Sequence, residues 1–224
     1  MFQKVLDSVS DWTVLFIQFV YRLLVQNTYF ILSNSLFLLL LFMIRFNMNN
    51  FVFFIVPVFF LLVSFSAQFK EIQDSKDTIG LSRYFALYKQ IIKNAWPIFL
   101  FYTCAIVFIV FDLRILFIAD LTVMMYPLLI TGCFLLSSMF FVLLISTDER
   151  AKKISLKRKL MWSLLISYRL PSVTILNFLC VLITIFCLQN YSLAYLCFLG
   201  GVINYYIYLN LNRRFSIELF FEQI

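Results

Sequence analysis

The chain has 224 residues, of which 63% are hydrophobic and 13% charged, with a formal net charge of +7. A soluble domain carries about 25% charged residues, and a chain this short cannot enclose so much apolar surface in a water-facing fold. The composition excludes a soluble globular domain and predicts an all-α, polytopic integral membrane helical bundle of about six transmembrane helices. With no histidine and only four glycines, the commonest general base and metal ligand are missing and a glycine-rich phosphate loop cannot be built. No catalytic, cofactor or metal site is predicted.

The first segment, 1–27, reads as an amphipathic helix: Trp12, Leu15, Phe16, Phe19, Val20 and Leu23 share one face. Asp7 and Asp11 break the apolar run a secretory leader would need. The pattern leaves open whether the segment lies on the membrane or extends the first span, because Arg22 and Asn27 tolerate both. Charge-free stretches then place spans at about 28–44, 51–69, 95–111 and 121–147. The last stretch, 170–212, would make a helix of about 65 Å, twice the roughly 30 Å hydrocarbon thickness. It divides into 170–188 and 193–212, with Gln189, Asn190, Tyr191 and Ser192 as the turn. The whole reads as a single membrane domain, 1–224.

Six spans put sixteen lysines and arginines on the side of the termini and two on the other. By the positive-inside rule both termini are cytoplasmic. The same topology accounts for the basic net charge, so no nucleic-acid partner is called for. Pro97 and Pro171 fall near span starts, where a missing N–H costs nothing. Pro57 and Pro127 fall inside spans and predict kinks.

Two cytoplasmic loops carry basic amphipathic patterns. In 70–94, Leu81, Tyr84, Phe85, Tyr88, Ile91, Ile92 and Trp96 recur at helical spacing opposite Arg83, Lys89, Gln90 and Lys93. This predicts an interfacial helix, capped by Asp77 or Thr78, that lies flat until Pro97 turns the chain inward. In 148–169, Lys152, Lys153, Lys157, Arg158 and Lys159 precede Leu160, Met161, Leu164, Leu165 and Tyr168, predicting a second such helix. The candidate lipid or partner contacts are therefore Arg83, Tyr84, Tyr88, Lys89, Lys93, Lys157, Arg158 and Lys159. Anionic lipid is the simplest partner, at about 1 kcal/mol for each basic residue near the surface; amphipathic helices also dock in protein grooves.

The intended spans hold no ionisable group, which argues against an ion-coupled carrier. Asn34, Gln68, Thr131, Asn177 and Asn204 are predicted to hydrogen-bond between helices. Cys104, Cys133, Cys180, Cys187 and Cys197 lie in apolar stretches without metal or disulfide spacing and read as packing residues.

This layout, with Phe111-Asp112-Leu113-Arg114 at the outer end of the third span and Pro57 in the second, resembles the YesL family of bacterial membrane proteins. The similarity covers most of the chain; Val58, Phe59 and Phe60 stand where that family favours small residues. It implies a bacterial plasma-membrane protein encoded near carbohydrate uptake transporters, and supplies no catalytic or binding residues. Only Pro57, Asp112 and Arg114 can be placed on the shared segments, the last two as residues ending the span or closing an outer cap with Asp120. The expected function is a non-enzymatic accessory subunit that contacts carbohydrate ABC-type transporter subunits. The alternative is a transporter or permease in its own right, alone or as a homodimer. Arg169-Leu170-Pro171 faintly matches the end of an importer coupling loop, without its Glu-Ala-Ala and Gly.

Overall fold

The computed structural model describes residues 2–47, 49–74 and 80–222, and is helical nearly throughout. In chain order the helices are α1 (Phe2–Ser33), α2 (Ser35–Met43), α3 (Ile55–Asp74), α4 (Leu81–Ile118), α5 (Thr122–Ser146), α6 (Leu156–Arg169), α7 (Pro171–Asn190), α8 (Ser192–Ala194), α9 (Gly200–Asn212) and α10 (Ile217–Glu222). Short 3₁₀ turns at Phe51–Phe54 and Glu149–Lys153 precede α3 and α6, and a π-helical turn, Tyr195–Leu199, joins α8 to α9. Six stretches are long and apolar enough to cross a membrane: Trp12–Ser33, Phe51–Gln73, Leu81–Ile118, Thr122–Ser146, Pro171–Asn190 and Ser192–Asn212. The chain is a multi-pass membrane protein built as an all-α bundle.

The first span differs from its expected position. The span expected over 28–44 lies instead at Trp12–Ser33, and the segment before it, left open between lying on the membrane and extending the span, belongs to the same helix, α1, of 32 residues and about 48 Å. It ends at Ser33, and Asn34 (φ −108°, ψ 25°) starts the short α2. Asn34 holds this break by donating to Phe30 O at 2.8 Å and to Ser64 Oγ on α3 at 2.9 Å.

Pro57 is the third residue of α3, just after the 3₁₀ turn Phe51–Phe54 that leads into it. Pro97, by contrast, lies inside α4 and does not end it. The first amphipathic segment and the third span are thus one helix, and the cap expected at Asp77 or Thr78 lies outside the described residues. Asp112 and Arg114 also fall inside α4 rather than at its end. The turn follows at Ala119 and Asp120, and Asp120 takes a left-handed φ of 54°, which a short polar side chain tolerates. Among the described residues no hydrogen bond or ion pair joins Asp112, Arg114 and Asp120 into a cap. Pro127 lies inside α5, as expected, and Pro171 opens α7. The chain reverses at Tyr191, between α7 and α8, where the turn was expected.

α3 and α5 form the centre. Leu61 to Phe69 and Ser137 to Ile145 are buried without interruption, so these segments are enclosed on all sides by protein, while the first half of α5 is largely exposed. Phe42, Met43, Phe108 and Phe117 are among the exposed side chains of the apolar perimeter, as lipid contact requires.

α1 and α9 approach closely through Gly200 and Gly201. A Cβ at Gly200 would stand 2.7 Å from Phe30 Cε1, and one at Gly201 3.0 Å from Asn27 Oδ1. Small residues permit such backbone approach between membrane helices. Asn27 uses it: its amide donates to Cys197 O and accepts from Gly201 N–H at 3.1 Å. Those two backbone groups would bond each other in a regular α-helix, so Asn27 bridges the helix where the π turn distorts it.

Candidate functional site

The ends of α3, α4, α5 and α6 converge around a polar cavity of about 250 Å³, lined among others by Lys70, Asn94, Thr147 and Lys159. This is the end from which the predicted contact residues project. The two basic segments use it differently.

In the first segment part of the apolar face, Tyr84, Tyr88 and Ile91, meets protein, while Leu81, Phe85 and Trp96 are exposed. Tyr84 is fully buried, 5.0 Å from the Tyr29 ring, and shares a hydrogen bond with Ser33 Oγ at 3.3 Å. Tyr88 is also buried and donates to Phe60 O at 3.4 Å. Phe99 meets Phe59, so this part of α4 packs on α3. Tyr84 and Tyr88 are therefore removed from the contact set, because their surface is spent inside the bundle. Arg83, Lys89 and Lys93 remain exposed on the outer face.

α6 is inverted. Its buried residues are Lys159, Ser163 and Ser167, while Met161, Leu164, Leu165 and Tyr168 are exposed. It folds back along α5: Lys159 lines the cavity beside Thr147, Ser163 faces Tyr102, and Tyr168 stacks on Phe134 at 4.9 Å. Phe134 lies twelve residues before the end of α5 at Ser146, about 18 Å along the axis. Ser163 and Ser167 satisfy their hydroxyls on Leu160 O and Leu164 O of their own helix, which lets α6 press a narrow face onto α5. Lys157 and Arg158 are exposed and Lys159 is buried, so three consecutive basic residues have different roles.

Outside the spans, Asp148, Arg150 and Lys159 are perturbed. The Arg150 guanidinium, bonded to Asp148 through Nε at 3.0 Å and Nη2 at 2.9 Å, holds the Asp148 carboxyl below the usual carboxylate range. Burial pulls Lys159 below the usual lysine range. Arg150 also lies 4.6 Å over the Phe221 ring, and Trp162 meets Phe220 at 5.5 Å, so α10 is tied to this end.

Buried polar groups join the helices across the bundle. Ser33 and Ser64 lie 3.0 Å apart, Gln68 accepts from Asn204 and donates to Gln26 O at 3.2 Å, and Asn210 donates to Asn177 Oδ1 at 2.8 Å. Asn34, Gln68, Asn177 and Asn204 thus bond between helices as expected. Thr131 does not: it is exposed and bonds Pro127 O of its own helix, the usual arrangement for a threonine facing lipid. The cysteines are free. A second, apolar cavity of about 210 Å³ lies toward the opposite end, between Val58, Ile109, Gly132 and Val181, and shares no lining residue with the first.

One functional group escaped the sequence reading. Glu71, assigned to the loop 70–94, belongs to α3 and is fully buried, with Arg22, Tyr29 and Tyr84 in its electrostatic surroundings. The signal that could have found it is its spacing: Gln68 and Glu71 continue the helical register of Ser64 on the face turned to α1. No family model, curated protein or solved structure matches the chain.

Proposed function

We propose that the chain is a non-enzymatic accessory protein of the bacterial plasma membrane, with cytoplasmic termini, that associates with a carbohydrate uptake transporter of the ABC type. The resemblance to the YesL family supplies the kind of partner. The observation carrying the accessory role is the division of polar groups. Those in the bundle are largely consumed in helix-to-helix hydrogen bonds, while Arg83, Lys89, Lys93, Lys157 and Arg158 stand exposed at one end. A scaffold that contacts a partner needs an interior of this kind and a charged end of this kind.

The test is extraction of a tagged chain in gentle detergent and identification of what co-purifies at near-stoichiometric yield. A transporter subunit should be recovered, and lost when Arg83, Lys89 and Lys93 are together replaced by glutamate. Those side chains are exposed, so the variant should keep its fold. Recovery of a lone chain or a homodimer would overturn the proposal.

A second reading, an independent carrier, is favoured by Glu71, since an ionisable side chain buried among membrane helices is a group that can bind and release a coupling ion. Solute uptake by the purified chain in vesicles, abolished in Glu71→Gln, would support it. An unchanged vesicle solute content would remove it.

A further inference from the structure

We propose that the polar cavity at the convergence of α3, α4, α5 and α6 is an anion site, built to take a phosphate group onto Lys159. Lys159 is only 8% exposed and lines the cavity. Among the described residues its ammonium makes no hydrogen bond and no ion pair; only its backbone N–H is bonded, to Ser155 O at 3.1 Å. The two carboxylates on the same wall are otherwise engaged: Asp148 is held by Arg150, and Glu149 lies 3.5 Å from Lys152. The ammonium therefore faces the cavity uncompensated, and a charge removed from water without a counter-charge is costly.

The other lining groups favour an anion. Lys70 adds positive charge, and Gln90 and Asn94 bring amide donors from α4. The Ser146 hydroxyl on the wall is buried without a hydrogen-bond partner. A volume of about 250 Å³ is several times the roughly 30 Å³ of a water molecule, so a phosphate and part of what it is esterified to fit. The lowered basicity of Lys159 from burial is what an anion would reverse. The phosphate has two sources: the headgroup of an anionic phospholipid at this end of the bundle, or free phosphate. Basic pockets between membrane helices take lipid headgroups in this position, and the chemistry of recognition is shared.

The experiment uses the full chain purified in a nonionic detergent. Thermal midpoints and tryptophan fluorescence are followed against inorganic phosphate, phosphatidylglycerol and phosphatidylcholine. Lys159→Met removes the ammonium and keeps the apolar stem. Lys157→Met, at an exposed neighbour, controls for general charge attraction. Without anion the Lys159→Met chain should melt no lower than the native one, because a desolvated charge has been deleted. Phosphatidylglycerol should stabilise the native and Lys157→Met chains, and bind Lys159→Met about tenfold more weakly or worse, the size of a lost charged hydrogen bond. Phosphatidylcholine should have no effect. Stabilisation by inorganic phosphate with the same Lys159 dependence would assign free phosphate as a source. Equal losses in the Lys157 and Lys159 variants, or no response to either phosphate source, would overturn the site.

Discussion

Two segments of this protein are written in nearly the same way and folded in opposite senses. Leu81–Trp96 and Leu156–Tyr168 are both basic, both amphipathic, and both lead to a proline at the next span. In α4 the buried face is apolar, through Tyr84, Tyr88, Ile91 and Ala95, although Leu81, Phe85 and Trp96 stay exposed beside the charges. In α6 the buried face is Lys159, Ser163 and Ser167, and the apolar residues point out. Amphipathicity fixes which residues share a face; it does not say which face the protein takes. Next to water the apolar face must go inward. Next to lipid there is no such drive, and the small, self-satisfied polar face packs better because it allows close approach. α6 behaves as a helix solvated by lipid, and the start of α4 as one covered by its own bundle.

The sharpest way to break this contrast is truncation of one aromatic from each segment. Tyr84→Ala empties a fully buried site against Tyr29 and Ser33 and should cost about 3–5 kcal/mol. Tyr168→Ala removes a 70% exposed ring that keeps only its stack on Phe134, and should cost about 1 kcal/mol. Thermal unfolding of both variants in the same detergent measures the difference. Equal losses would mean that α6 buries its apolar face after all.

Enlarging the small face of α6 is the next test. Ser163→Leu puts a larger side chain against α5 and Tyr102 and should cost about 1–3 kcal/mol through overpacking. At Leu164, one residue on and 50% exposed, Leu164→Ser should change detergent stability little and weaken retention in lipid vesicles. A reversed order, with Leu164→Ser the more damaging to unfolding, would restore the orientation that hydrophobic patterning suggests.

How far the sequence carries follows the same line. Six spans, their alternation and the turn at Tyr191 could be read from charge and length, because a bilayer imposes both. So could the interhelical bonding of Asn34, Gln68, Asn177 and Asn204, though not their partners, since a buried amide among membrane helices needs another polar group. Three things were not legible. The charge-free stretch 28–44 looked like the first span, but a span can also hold Arg22 where a neighbouring helix supplies Glu71. Glu71 looked like a loop residue, because hydropathy counts its charge and cannot count the protein around it. Tyr84 and Lys159 both stood in contact lists as surface residues, since periodicity gives a face and only packing gives its direction. Gly200, Gly201 and Asn27 were silent for another reason: their meeting joins residues far apart in the chain, and nothing local marks it.

The smallest effect separates the two basic segments by pH. The α6 side carries a carboxylate bound to a guanidinium, Asp148 with Arg150. The carboxyl is held below its ordinary value of 3.8, chiefly by its hydrogen bonds to Arg150. A depressed carboxylate favours the folded chain at every pH above that ordinary value. The advantage fades as pH falls through the lower, folded value, where the native state must also take the proton. Half of the Arg150 side chain is in contact with solvent, so screening keeps the contribution small. Asp148→Asn should therefore lower the thermal midpoint slightly near pH 7, and the two chains should converge as pH falls below about 3.8. The same comparison in high salt should narrow the gap at neutral pH. A gap that widens in acid would mean that Asp148 is stabilised by something other than its charge, and that the loop before α6 is held by packing alone.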